Sequence, residues 1–177
     1  MHRRLKRSDR NHLAGEHRWS DTGQLVLLFV FLAVWIVDSF VLRYATFLTT
    51  YVPIYFRVPV AIVFLVLSGY LAMTGLSIVF DATREKPGVV SEGVFGLVRH
   101  PIYLGSVLFY LALLALTLSL AATVVWLVII VFYHCIAQHE EKLLLKKFGA
   151  EYEAYMKAVP MWLPWIGFRK QETGYRE

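Results

Sequence analysis

The stretch that decides the fold runs over residues 96–105 and reads GLVRHPIYLG, and its counterpart, HEE, occupies residues 139–141. Two apolar runs, residues 102–118 and 120–137, fill the interval, with Ser119 between them. A helix rises about 1.5 Å per residue, so the first run climbs about 26 Å and the second returns by a similar distance. The basic and imidazole groups of the first stretch are therefore predicted to meet the paired glutamates of the second on one side of a membrane.

The composition indicates a membrane protein. Of the 177 residues, 58% are hydrophobic and 15% aromatic, and the mean hydropathy is +0.55. The apolar residues fall in blocks of about 20, the length that crosses a hydrocarbon core. We predict an all-α polytopic membrane protein with about four transmembrane helices, of which the last two form a C-terminal helical hairpin that cytoplasmic amphipathic helices follow. The predicted spans are residues 24–42, 58–80, 102–118 and 120–137.

Basic residues set the predicted orientation. The net charge of +5 would suggest nucleic-acid binding in a soluble chain, but here the charges flank the predicted spans. Cytoplasmic loops of membrane proteins are enriched in Lys and Arg. With the N-terminus in the cytoplasm, only Arg43 and Arg57 among the 18 basic residues fall on the opposite side. We therefore predict cytoplasmic termini, membrane lipids as partners and no nucleic-acid partner.

The chain is divided into four regions by composition. They are a basic cytoplasmic N-terminal segment (residues 1–22), two supporting transmembrane helices (23–80), the region that carries the candidate site (81–168) and a flexible tail (169–177). Two short helices are predicted in the third region, at residues 140–148 and 150–159. Gly149 and Pro160 are their expected ends, because glycine and proline follow helix C-termini.

Several polar residues have ordinary structural explanations when they are considered singly. Asp38 lies in the first span and is expected to pair near Arg43 at the membrane interface. Tyr70, Thr74, Ser77 and Asp81 share one face of the second span, where they are expected to form interhelical hydrogen bonds or to line a cavity.

Metal binding is not predicted. The set considered consists of His134, Cys135, His139 and Glu140. These residues lack a recognised ligand spacing, and no second cluster completes them.

Four motifs follow one another in the second half of the chain. They read GxFGLVRHPxYxG over residues 93–105, EExxL over 140–144, FGxEYxxY over 148–155 and VP at 159–160. In this order they resemble the motifs of the isoprenylcysteine carboxyl methyltransferases and their phospholipid methyltransferase relatives. The resemblance implies an integral membrane enzyme that binds S-adenosylmethionine on the cytoplasmic side, while a lipophilic acceptor enters from the bilayer. The ending of the chain resembles small prokaryotic homologues, which implies a prokaryotic inner membrane.

The resemblance also implies the site residues. The cofactor-binding residues it implies are Arg99, His100, Tyr103, Glu140, Glu141, Tyr152 and Tyr155, and the catalytic ones are Arg99 and Glu141. Glutamates suit the sulfonium and ammonium groups of the cofactor, and a basic residue suits its carboxylate. Tyrosine rings suit adenine or the sulfonium. The acceptor group stays open among a carboxylate, an amine and a thiol.

Two other classes of function are compatible with the sequence. Membrane sterol reductases carry a similar Arg-His-Pro-x-Tyr segment and use NADPH, but this chain has few basic residues placed for a 2′-phosphate. A membrane scaffold without catalytic activity would bind neither cofactor. Site residues rather than the fold decide between such classes.

Overall fold

Every regular element in the computed structural model, which describes residues 18–80 and 88–164, is a helix. The five longer helices are α1 (Arg18–Ile36), α2 (Ile54–Val79), α3 (Pro101–Thr117), α4 (Leu120–Phe148) and α5 (Ala150–Ala158). A π-helix (Val37–Leu42) extends α1, and two 3-10 turns (Phe47–Thr50 and Gly93–Gly96) lie in the loops.

The predicted all-α membrane fold is confirmed. Three helical stretches of the described chain are long and apolar enough to cross a membrane, namely Thr22–Leu42, Ile54–Val79 and Leu120–Phe148, and α3 is a shorter apolar helix. Along the bundle, α2 packs on α3, α3 on α4, and α4 on α1. Residues 1–17, 81–87 and 165–177 lie outside the described residues, so the basic N-terminal segment, the flexible tail and the cytoplasmic orientation stay predictions.

Three predicted helix boundaries were wrong. The first helix begins at Arg18 instead of residue 24. The second helix begins at Ile54 instead of residue 58, because Pro53 precedes it as the N-cap and the helix accommodates Pro59. Residues 140–148 do not form the separate helix that was predicted. Polar residues in this region favour water without breaking a helix, so α4 continues to Gly149, whose positive φ of 57° ends it.

The α3–α4 hairpin forms as predicted around a turn of two residues. Leu118 adopts the left-handed conformation with φ of 48°, and the Ser119 side chain caps α4 by accepting the Ala122 N–H. The two arms are joined across the hairpin by the Trp126 indole, which donates to the Val107 carbonyl at 3.1 Å. The start of α3 and the polar half of α4 consequently lie at the same end of the bundle.

Small residues let α2 approach α3 closely. A Cβ at Gly105 would lie 3.0 Å from the Ser68 carbonyl oxygen, and one at Gly75 would lie 2.7 Å from Ile102. Such contacts between small residues are typical of membrane helix pairs. Of the predicted polar stripe, Tyr70 is 57% exposed and the Ser77 hydroxyl donates to a carbonyl of its own helix, while Asp81 lies outside the described residues. The role of α2 is to brace the start of α3.

Asp38 ties three segments together at the opposite end of the hairpin. Its carboxylate, only 6% exposed, accepts the Ser119 hydroxyl and the Ala45 N–H, and the Ala45 carbonyl accepts the Leu120 N–H at 3.0 Å. The expected partner, Arg43, instead donates its backbone N–H to the Asp38 carbonyl. The buried carboxylate therefore holds the hairpin turn against the end of the first span.

Replacing Asp38 with alanine is expected to lower the stability of the protein. The Ser119 hydroxyl and Ala45 N–H would lose their acceptor while still buried, which costs about 1–3 kcal/mol. For a chain of this size that lowers the thermal midpoint by about 2–12 °C, measured by unfolding in detergent. Ser77→Ala, at an exposed hydroxyl, is the control. If Asp38→Ala unfolds at the same temperature as the wild type, the Asp38 carboxylate does not stabilise the hairpin turn.

Candidate functional site

The hairpin brings four charged or titratable side chains together, here called the charged cluster: Arg99, His100, Glu140 and Glu141. His100 Nε2 lies 3.1 Å from Glu141 Oε1, and His100 Nδ1 lies 3.8 Å from Glu140 Oε2. Arg99 Nε lies 2.8 Å from the same Glu141 oxygen. The predicted meeting of the two ends of the hairpin is thus observed, with direct contacts between side chains about 40 residues apart.

Tyr103 lies beside the charged cluster, one turn into α3. Its hydroxyl donates to Glu140 Oε1, and its ring lies nearly parallel to that of His100, with 5.7 Å between the ring centroids. The ring also packs on Tyr133 of α4 at 5.2 Å. His100 occupies the N-cap position, so the first turn of α3 places both residues toward α4. Tyr103 thereby orients the Glu140 carboxylate.

The two adjacent glutamates have different environments. Glu141 continues the buried face of α4 that includes Tyr133 and Ala137, and its side chain is 9% exposed. Glu140 lies one position further round the helix, and its side chain is 23% exposed. A buried carboxylate must be paired, as Glu141 is with Arg99, whereas Glu140 is the more accessible of the two.

Arg99 connects the charged cluster to residues 159–164, here called the strap. Its backbone N–H donates to the Pro160 carbonyl at 2.9 Å. Its Nη1 donates to the carbonyls of Met156 at 2.8 Å and Val159 at 3.2 Å. A guanidinium offers several donors in a fixed plane, which suits simultaneous contacts with a carboxylate and backbone carbonyls. Arg99 therefore holds the end of α5 and the strap against the start of α3.

Tyr152 and Tyr155 form a packed layer on α5, near the charged cluster. They are 3% and 8% exposed, and their rings lie 5.7 Å apart. Burial raises the pKa of both phenols, with Glu141 adding to the effect at Tyr152 and Arg99 opposing it at Tyr155. Both hydroxyls therefore stay protonated, and that of Tyr155 donates to the Phe95 carbonyl at 2.7 Å. Their contact with a cofactor stays a prediction.

Trp162 and His134 border the site and were not predicted as a pair. The Trp162 indole donates to His134 Nδ1 at 3.1 Å, and its ring centroid lies 6.0 Å from that of His100. The aromatic run MWLPW over residues 161–165, which contains Trp162, predicts a membrane anchor or a flap over a pocket, and His134 belongs to the set for which metal binding is not predicted. No periodic signal links residues 28 positions apart when one lies in a helix and the other in a loop.

The donor set suits a cationic organic ligand. The charged cluster contains one guanidinium and two carboxylates, which gives a net charge of −1 with a neutral imidazole. In the described ranges, 18–80 and 88–164, no group of three or more His, Cys, Asp or Glu side chains is placed to hold a metal ion.

The fold and the site define a class of protein, namely an all-helical membrane protein whose hairpin builds an acidic site at one end of the bundle. Residues 60–151 match the model of the phospholipid methyltransferase family, and the chain belongs to that family. The match includes the whole charged cluster and Tyr103, and it ends one residue before Tyr152.

Two curated relatives are similar to this chain. The protein-S-isoprenylcysteine O-methyltransferase of Schizosaccharomyces pombe is 30% identical over 134 residues, which cover 71% of this chain and 56% of the relative. The methanethiol S-methyltransferase of a Pseudomonas species is 32% identical over 103 residues, which cover 55% of this chain and 38% of the relative. The matched regions thus span about half the length of these relatives or less. No solved structure matches the chain.

Proposed function

We propose that this protein is an S-adenosylmethionine-dependent methyltransferase that acts on a lipophilic acceptor reaching the site from the bilayer. Membership of the phospholipid methyltransferase family and the names of the two relatives support methyl transfer. The observation that carries the proposal is the charged cluster, because it places a net negative charge beside aromatic rings at the end of a membrane hairpin.

The residues of the site fit the cofactor chemically. S-adenosylmethionine carries a sulfonium and an ammonium group together with a carboxylate and an adenine ring. Glu140 is the accessible carboxylate for one of the cationic groups, and the Tyr103 ring offers a cation–π surface. The bound cofactor supplies an electrophilic methyl group. The protein contributes by binding, orienting the reactants and excluding water, which lowers the barrier through positioning.

We assign Arg99 and Glu141 a positioning role in this site. Each was predicted to be catalytic, and that role stays a prediction. Their observed contacts are with each other, with His100 and with backbone carbonyls of α5 and the strap. These contacts hold the imidazole and the strap in place.

The acceptor class we propose is a hydrophobic carboxylic acid or thiol. The relatives' names include an O-methyltransferase and an S-methyltransferase, which supports both. A carboxylate is already a nucleophile at neutral pH, whereas a thiol must first lose its proton. Transfer of labelled methyl groups to N-acetyl-S-farnesylcysteine, to a long-chain alkyl thiol and to phosphatidylethanolamine, measured in parallel, distinguishes acid, thiol and amine acceptors.

Cofactor identity is tested by thermal unfolding of the detergent-purified protein with S-adenosylmethionine, S-adenosylhomocysteine or NADPH. A ligand at one hundred times its dissociation constant stabilises the folded state by about 2.7 kcal/mol. We expect both adenosyl compounds to raise the midpoint and NADPH to leave it unchanged. Stabilisation by NADPH alone would support a reductase instead, a function that the family match does not favour.

A further inference from the structure

We infer that Trp162 is a positioning residue of this site, held beside His100 by a hydrogen bond from its indole to His134 that forms only while His134 is neutral. The inference rests on the proposed function, because the residue that Trp162 positions belongs to the proposed cofactor site. It assigns a role to the strap that neither the family nor the relatives' names describe.

Trp162 lies between two histidines of different helices. Its ring centroid is 6.0 Å from that of His100, at the start of α3, and 6.3 Å from that of His134, in α4. The indole is partly buried and packs against the hydrophobic core of the bundle. His100 is also stacked on Tyr103. Aromatic neighbours at these distances restrict the orientation of the imidazole, whose two nitrogens lie near the two glutamates.

The hydrogen-bond chemistry determines the protonation state of His134. An indole N–H only donates, so His134 Nδ1 must accept it across their 3.1 Å separation. A histidine that accepts at Nδ1 is neutral and carries its proton on Nε2. His134 Nε2 lies 3.0 Å from Gln138 Nε2. Two N–H donors cannot bond to each other, so we assign the Gln138 amide the flipped orientation, with its oxygen toward His134. Protonation makes both ring nitrogens donors and leaves the Trp162 N–H without this acceptor.

The strap has a second attachment that does not depend on His134. Its Pro160 carbonyl accepts the Arg99 N–H at 2.9 Å. In the described part of the chain, His134 contacts the Trp162 indole from the strap and the Gln138 amide from its own helix. Titratable His100 and the two glutamates lie beyond Trp162. Protonation of His134 therefore releases the indole while the strap stays attached through Arg99.

Binding of S-adenosylhomocysteine, measured by calorimetry, tests the positioning role. Trp162→Phe keeps an aromatic ring but loses the donor, and we expect it to raise the dissociation constant about three- to tenfold, the effect of one hydrogen bond. His134→Leu should behave in the same way. Trp126→Phe is the matched control, since it removes an indole bond to the Val107 carbonyl elsewhere in the hairpin, and it should bind like the wild type.

The conservative variant His134→Asn separates positioning from a packing effect. Asparagine offers an acceptor near the position of Nδ1 and cannot be protonated at physiological pH, so it should restore wild-type affinity at about pH 7.5. When the pH is lowered from about 7.5 to 5.5, the wild type should lose about three- to tenfold more affinity than His134→Asn. Both proteins retain His100 and the two glutamates, so any contribution of these groups to the pH dependence of binding is the same in both and cancels in the comparison.

The indole N–H resonance of Trp162 in nitrogen-15 NMR reports whether the hydrogen bond to His134 is formed, and this measurement needs no ligand. The Trp162 signal, assigned by its loss in Trp162→Phe, should move as the pH is lowered in the wild type and stay in place in His134→Asn. Failure of the wild type to bind S-adenosylhomocysteine overturns the proposed function and with it the positioning role. Equal binding by wild type, Trp162→Phe and His134→Leu overturns the positioning role alone, and an indole signal that is insensitive to pH overturns its dependence on neutral His134.

Discussion

Replacing Glu140 with glutamine is expected to weaken binding of S-adenosylmethionine by about 10- to 150-fold. The amide has the same shape and can still accept the Tyr103 hydroxyl, so the change removes charge with little effect on packing. A hydrogen bond to a charged group contributes about 1.5–3 kcal/mol, which corresponds to that range of affinities. Titration calorimetry of the protein in detergent measures the dissociation constant of S-adenosylmethionine.

Comparison of the two adenosyl ligands shows which cationic group Glu140 contacts. S-adenosylhomocysteine retains the ammonium group and lacks the sulfonium charge. Equal losses for both ligands in Glu140→Gln indicate contact with the ammonium, and a loss confined to S-adenosylmethionine indicates contact with the sulfonium. Glu153→Gln removes an exposed acid of α5 that pairs with Lys157, and it should bind like the wild type. Wild-type affinity of Glu140→Gln for both ligands would place the cationic groups elsewhere.

Removing the positive charge of Arg99 is expected to destabilise the protein by about 3–5 kcal/mol. The variant Arg99→Met leaves the Glu141 carboxylate buried without its ion pair and also removes the side-chain bonds to the strap. The uncompensated buried charge is the larger cost. Unfolding in detergent, followed by circular dichroism, measures the change.

The double variant distinguishes the buried charge from lost packing. Combining Arg99→Met with Glu141→Gln removes both charges, so it should recover part of the stability that Arg99→Met loses. Lys157→Met breaks an ion pair whose members are 75% and 56% exposed, and it should have no measurable effect. If the double variant is as unstable as the sum of the two single ones, the ion pair does not explain the role of Arg99.

Much of the fold could be predicted because it depends on the lengths of the apolar runs and on residues that mark the ends of helices. The apolar runs around Ser119 are long enough to form a hairpin, and Pro101 marks the start of its first arm. The continuation of α4 to Phe148 was missed because a change from apolar to charged residues signals the membrane boundary and not a helix end. The helix instead ends where the backbone requires it, at Gly149.

The meeting of the residues of the charged cluster could be predicted from the hairpin, and their internal arrangement could not. Adjacent residues on a helix point about 100° apart, so one of two neighbouring glutamates must face the core more than the other. Which one does so depends on how α3 packs against α4, and here it is Glu141. Contacts of Arg99 with the strap, and of Trp162 with His134, join distant segments and have no periodic signature.

We propose that the start of α3 and the polar half of α4 together bind the methyl donor. Photolabelling of the purified protein with radiolabelled S-adenosylmethionine, followed by peptide mapping, tests it most directly. We predict that the label lies in residues 96–105 or 133–141 and that excess S-adenosylhomocysteine prevents it. Label confined to α1 or α2, with the same competition, would contradict the claim.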